Sequence, residues 1–177
     1  DYLSKIRTSS AHLLSLINDI LDMSRIESGK ASLDEKPCNI AEVFDNLAVI
    51  LQSEVTRKGL TLSVDTSRIT HPEVVCDCLK VNQIMLNLLG NSIKFTDAGG
   101  YVGVRVDELP DAPTDHARFK VVVTDTGIGM SEGFLEHIFD PFERERTSTI
   151  SGIQGTGLGM AITKNLVDMM NGTIEVK

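Results

Sequence analysis

The apolar residues of this chain change period from segment to segment, and that switching limits the fold more than any other feature. Ile40, Val43, Phe44, Leu47, Ile50, Leu51 and Val55 fall three and four apart, which predicts a helix over 40–58 that stops at Gly59. Leu60, Leu62 and Val64 then alternate as a strand does. A short strand over 74–76 leads to Asp77, placed to cap a helix over 78–95 with Leu79, Ile84, Leu86, Leu88, Leu89 and Ile93 on its apolar face. After the turn Asp97-Ala98-Gly99-Gly100, Val102, Val104 and Val106 alternate, and so do Phe119, Val121 and Val123. Between those two runs, 107–117 holds two prolines and four acids and reads as a solvated hairpin loop. A last helix over 158–170 precedes a further strand at 173–176. Helices alternating with strands, one pair of strands forming a hairpin, predict an α+β two-layer sandwich. Its one mixed, mostly antiparallel sheet would carry helices on a single face.

The first thirty residues stand apart. Leu3, Ile6, Ser10, Leu13, Ile17, Ile20 and Ser24 form the seam of a long N-terminal helix, widened by Leu14, Leu16 and Leu21 and stopped near Gly29. Such a seam wants another helix as its partner. A length of 177 residues fits one domain, or one with an appendage, and a start at Asp1 reads as part of something longer. Lys+Arg 17 against Asp+Glu 25 leaves a net charge of −8, which disfavours a nucleic-acid or anionic-membrane surface. No apolar run approaches the ~20 residues of a membrane span. The three cysteines, Cys38, Cys76 and Cys78, are odd in number and lack C-x-x-C spacing. They read as free, half-buried thiols of a reducing compartment rather than a disulfide framework.

Glycines mark where chemistry can sit. There is no G-x-x-x-x-G-K-[ST], which excludes a P-loop. The run from Gly155 to Met160 ends on methionine and follows a long loop, which excludes a Rossmann fingerprint. Gly155, Gly157 and Gly159 nevertheless open a helix, where backbone N–H groups can meet an anion. Asp125-Thr126-Gly127-Ile128-Gly129-Met130 follows a strand and sets a carboxylate at its exit. That carboxylate can accept from an exocyclic amine beside a flat ring. Asn87 and Asn91 share a helix face with Lys94 nearby, a set suited to a hard cation and phosphate. Phe139-Asp140-Pro141-Phe142, followed by the polar stretch 143–154, has the make-up of an anchored lid from which Arg144 and Arg146 can reach phosphates.

In this order, the stretches resemble the ATP-binding catalytic domain of two-component sensor histidine kinases, within the GHKL (Bergerat-fold) superfamily. QIMLNLLGNSIKFT (83–96) resembles the N box and DTGIGM (125–130) the first glycine box. FDPF (139–142) resembles the F box and GTGLGM (155–160) the second glycine box, so the likeness covers about 37–177. Residues 1–30 resemble the second helix of the dimerisation and phosphotransfer domain with its connector, leaving 31–177 as the ATP-binding domain without its final strand.

The resemblance implies ATP and Mg²⁺ as cofactors. It makes Asn91 the metal ligand, puts Asn87 and Lys94 beside the phosphates, and has Asp125 hold the adenine amine. Gly127 and Gly129 would shape the base pocket, Phe95 and Ile128 would belong to the same ATP-binding set, and Phe139 and Phe142 would anchor the lid. Gly155, Gly157, Leu158 and Gly159 would offer backbone N–H groups to the phosphates, with Thr156 in the same ATP-binding set. It further implies a response-regulator receiver domain as partner, a homodimer through the N-terminal helix, a cytoplasmic location even where a parent is membrane-anchored, and neither nucleic-acid nor direct membrane contact. The phosphoacceptor box is absent: His12, His71, His116 and His137 all lack its context, so no catalytic residue is expected and the piece would not autophosphorylate alone. Two alternatives remain, a degenerate nucleotide-binding regulatory module and a GHKL ATP hydrolase. The hydrolases place a glutamate base where this chain has Asn87.

Overall fold

A computed structural model describes residues 2–145 and 155–177. The elements run α1 (Tyr2–Glu27), β1 (Lys36–Asn39), α2 (Ile40–Lys58), β2 (Thr61–Arg68), β3 (Glu73–Cys76), α3 (Cys78–Phe95), β4 (Tyr101–Leu109), β5 (Arg118–Asp125), α4 (Glu132–Leu135) and α5 (Gly159–Met169). They divide into two compact units. One is Leu33–Gly129; the other joins Asp1–Ser32 to Met130–Lys177.

In Leu33–Gly129, α2 begins where the Asn39 side chain accepts from the Glu42 N–H at 3.1 Å. It ends at Gly59, whose φ of +66° is the left-handed cap that glycine adopts without strain. Its buried face is Ile40, Phe44, Leu47, Leu51 and Val55, as the spacing predicts, although Ile50 stays exposed. α3 is held at both ends. Asp77, almost fully buried, accepts from the Lys80 N–H at 3.0 Å and from the Asp34 N–H at 2.9 Å. At the other end Lys58 Nζ donates to the carbonyls of Ile93, Lys94 and Thr96 at 2.8, 2.8 and 2.9 Å. These are the carbonyls a helix end leaves without partners.

The strands form two sheets rather than one. β4 is the centre of a mixed sheet ordered β2-β4-β5, parallel to β2 and antiparallel to β5, while β1 and β3 pair antiparallel on their own. The break lies at the corner after β2. Pro72 has no N–H to extend a ladder, and its carbonyl instead accepts from the Ile40 N–H at 2.8 Å. Glu108 fixes the same corner, accepting from the N–H groups of Thr70 at 2.6 Å and His71 at 2.9 Å. The stretch read as a hairpin loop is therefore partly strand, because β4 continues to Leu109, which pairs with Arg118. The core lies between this sheet and its helices. Val102, Val104 and Val106 are buried, as are Phe44, Leu47, Leu89 and Ile93. Each contributes about 1.5–3 kcal/mol of burial.

The cysteines depart from expectation. Cys38 and Cys78 are joined by a disulfide, leaving Cys76 as the free thiol. The pairing was hidden in sequence because β1 meets β3 and the start of α3 only after folding. Burial, with the nearby charges of Asp77 and Glu35, pushes the Cys76 thiol up.

In the second unit α1 packs along α5. Much of its apolar seam faces outward: Leu3, Ile6, Leu13, Leu14, Ile17, Ile20 and Leu21 are 46–75% exposed. Residues 173–176 enter no ladder, and this unit has no strand among its described residues to pair with them. No helix among the described residues is long and apolar enough to cross a membrane.

Candidate functional site

Asp125 is the last residue of β5, opposite Val102. α3 packs on β5, which brings Ser92 to it: Ser92 Oγ donates to Asp125 Oδ2 at 2.8 Å. The Gly127 N–H donates to Asp125 Oδ1 at 3.0 Å. The carboxylate is thus oriented by two donors, yet each oxygen keeps a further lone pair and the residue is exposed.

The loop after Asp125 is drawn onto the end of α3. The Ile128 N–H donates to the Phe95 carbonyl at 3.2 Å, and the Thr126 N–H to the Tyr101 carbonyl at 3.0 Å. A Cβ at Gly127 would stand 2.8 Å from the Phe95 carbonyl oxygen, closer than any side chain permits. Gly129 has φ +69°, so both glycines of this loop answer a structural demand. Ile128 remains 55% exposed beside them, an apolar edge open to a flat ring.

On α3 itself Asn87, Asn91, Lys94 and Phe95 are all half-buried. Among the described residues the Asn91 side-chain amide meets no hydrogen-bond partner, so its oxygen is available as a hard donor. Lys94 Nζ lies 4.9 Å from the centre of the Phe95 ring, which steadies the ammonium at the helix end. Within the Leu33–Gly129 unit, Ser92 of the helix that carries the N-box residues and the first glycine loop thus meet at one carboxylate.

The other expected residues lie in the second unit. Phe139 is half-buried, whereas the Phe142 ring is 68% exposed and so is not an anchor by burial. What is held at Phe142 is the backbone: its φ is +67° and its N–H donates to the Gly157 carbonyl at 2.9 Å. A Cβ at Gly157, itself at φ +74°, would meet the Phe142 backbone at 2.9 Å. Thr156 Oγ1 donates to Asp19 Oδ2 of α1 at 3.1 Å and accepts the Leu158 N–H at 3.1 Å. Leu158 is the N-cap of α5 and gives it no side-chain cap, unlike Asn39 on α2 and Asp77 on α3. A helix start without a capping side chain favours an incoming anion. Arg144 and Gly155 are half-open or exposed beside these elements, and Arg146 with the rest of 146–154 lies outside the described residues.

Three of the four histidines are occupied locally. His71 Nδ1 meets Glu108 at 2.7 Å, His116 Nδ1 the Thr114 carbonyl at 3.0 Å, and His137 Nδ1 Asp140 at 2.8 Å. The hydrogen bond to Asp140, helped by the charges of Asp140, Glu143 and Glu136, holds His137 above its ordinary range. The His12 side chain lies outside what is described. Ser92 and Lys58 escaped the sequence reading. Ser92 follows Asn91 in the N box, but only the packing of α3 on β5 reveals its bond to Asp125.

Residues 76–177 match the family model described as histidine kinase-, DNA gyrase B-, and HSP90-like ATPase. The Non-motile and phage-resistance protein of Caulobacter vibrioides is 41% identical over 175 residues, 99% of this chain and 20% of that protein. The Autoinducer 2 sensor kinase/phosphatase LuxQ of Vibrio parahaemolyticus is 36% identical over 172 residues, 97% of this chain and 20% of that protein. The chain thus spans about a fifth of the length of these curated relatives. Among solved structures, full-length ShkA in complex with AMPPNP superposes with a TM-score of 0.80 at 30% identity, over 96% of this chain and 34% of that one.

Proposed function

The chain belongs to the histidine kinase-, DNA gyrase B-, and HSP90-like ATPase family, and from that membership we propose that it binds Mg-ATP and presents the γ-phosphate to a histidine in a two-component sensor kinase. The observation that carries the reading is the Asp125 carboxylate, held from both sides by Ser92 and Gly127 while its remaining lone pairs face outward. An adenine amino group is a donor of the size and polarity that such an acceptor selects. Gly127, Ile128 and Gly129 leave room for the ring, and Phe95 backs the loop through its carbonyl.

Asn91 fits a Mg²⁺ ion because its amide oxygen meets no hydrogen-bond partner among the described residues. Such an ion, when bound, offsets charge on the phosphates. Asn87 and Lys94 stand along the same helix for the phosphates themselves, and Lys94 adds a point charge. The uncapped start of α5, with Gly155, Thr156, Gly157, Leu158 and Gly159, offers backbone donors. The Leu158 N–H must first leave Thr156 Oγ1 to take part. Phe139, Phe142 and Arg144 are the lid residues of this reading, and Arg146, assigned the same role, lies outside the described residues. The protein's work is positioning and charge neutralisation, and the attacking imidazole comes from outside these residues.

In this reading, 1–30 is one helix of a dimerising phosphotransfer domain and 31–177 the ATP-binding domain. The outward apolar seam of α1 supports homodimerisation. The phosphoryl group passes on to a response-regulator receiver domain in the cytoplasm.

Calorimetric titration of the chain with ATP tests the reading. Binding that requires Mg²⁺ and is lost in Asn91→Ala is expected. Equal affinity with and without the ion, or in the variant, would remove Asn91 as a ligand. No binding at all would leave the fold without the proposed activity.

A further inference from the structure

Cys38, Cys76 and Cys78 lie outside every nucleotide-site motif, and each is half-buried. Their meeting is built by the topology. Cys38 sits opposite Val74 in the β1–β3 ladder, so Cys76, two residues further on, projects from the same face of the ribbon. Cys78 joins them as the first residue of α3, just past the Asp77 cap. The three sulfurs all lie within 4.8 Å of one another. Cys76 Sγ is 3.5 Å from Cys38 Sγ and 3.7 Å from Cys78 Sγ. Four thiolates around a tetrahedral zinc, with bonds of about 2.3 Å, hold their sulfurs about 3.8 Å apart. Two of the three edges here already have roughly that length. The third is the Cys38–Cys78 disulfide.

We propose that, once this disulfide is reduced, Cys38, Cys76 and Cys78 form a three-thiolate site for one soft d¹⁰ cation of the Zn²⁺ class, its fourth position taken by water. An external dithiol supplies the two electrons and two protons. The S–S bond breaks to two thiols, and the dithiol closes to its own disulfide. Cation binding then releases the thiol protons. Two features of the surroundings favour it. Cys78 lies in the first turn of α3, where the helix end favours a thiolate. Asp77 stands between Cys76 and Cys78 in the chain, and its carboxylate charge favours a cation beside them. The inference does not rest on the nucleotide reading, since none of the three sulfurs serves it.

The test uses the 177-residue chain, reduced with a phosphine, freed of metal and oxygen, and titrated with Zn²⁺ against a chromophoric chelator. One Zn²⁺ per reduced chain is expected, none for the disulfide form, and at least tenfold weaker binding in Cys76→Ser. Circular dichroism checks that the variant is folded. Co²⁺ in place of Zn²⁺ should give thiolate-to-metal charge-transfer absorption in the unmutated chain, a readout that needs no variant. Absence of that band, absence of stoichiometric Zn²⁺ uptake, or unchanged uptake by a folded Cys76→Ser chain would overturn the proposal.

Discussion

Asp125 concentrates the residue-scale argument, because one carboxylate serves both the fold and the proposed ligand. Asp125→Asn keeps the side chain's size and an oxygen for Ser92, yet removes the charge and half of the acceptor capacity. ATP affinity is expected to fall by about 1–3 kcal/mol, with the preference for ATP over GTP reduced. Competitive titration of the two nucleotides measures this, and an unchanged preference would detach Asp125 from base recognition. The neighbouring glycines show how much a sequence can disclose at this scale. Gly127 and Gly129 were legible because glycine at close spacing announces a backbone need, and the structure supplies it in the Phe95 carbonyl and a positive φ. Ser92 was not legible: a serine within an apolar helix has many uses, and only the approach of β5 selects one. Phe142 is held through its backbone while its ring is exposed, a distinction that residue type alone does not carry.

At the scale of elements, the helix that carries the asparagines is fixed by a residue of its neighbour. Lys58 closes α2 and gives three hydrogen bonds to the last carbonyls of α3 and its cap. Lys58→Met retains the apolar stem and leaves those carbonyls short of a donor. The stability of the chain should drop by about 2 kcal/mol in urea unfolding, and ATP binding should weaken with it. An unchanged unfolding midpoint would show that water replaces the ammonium without loss. The corner after β2 gives an acid dependence. Hydrogen bonds from the Thr70 and His71 side chains and from their backbone N–H groups lower the Glu108 carboxyl from 4.5 to about 2. A carboxyl depressed by folding contributes stability that is complete above its ordinary value and is lost as pH falls through the depressed one. The difference in thermal midpoint between the parent chain and Glu108→Gln should therefore shrink as pH falls from about 4.5 to about 2; a constant difference would contradict it. Helix spans and the β4–β5 hairpin followed from periodicity, which is local. The split into two sheets did not, because it depends on Pro72 and Glu108 acting on segments far apart in sequence. The cysteine pairing was hidden for the same reason.

For the molecule as a whole, the outward seam of α1 is an unanswered apolar surface. Seven leucines and isoleucines at helical spacing stay 46–75% exposed. Sedimentation equilibrium should reveal self-association, and Leu13→Glu with Ile17→Glu should abolish it; a strictly monomeric parent chain would rule out this helix as sufficient. The order of the central sheet carries a kinetic consequence. β4 and β5 are joined by a short connection, but β2 reaches its parallel place beside β4 only after the chain has travelled through β3 and α3. A hairpin closes in microseconds, whereas a parallel pair must first meet the entropy of its long crossover. The crossover here is the helix bearing Asn87, Asn91 and Lys94. In refolding, the last strand to dock and the nucleotide site should therefore appear in a single phase, and ligand added to a partly folded chain would find nothing to grip before the sheet has closed.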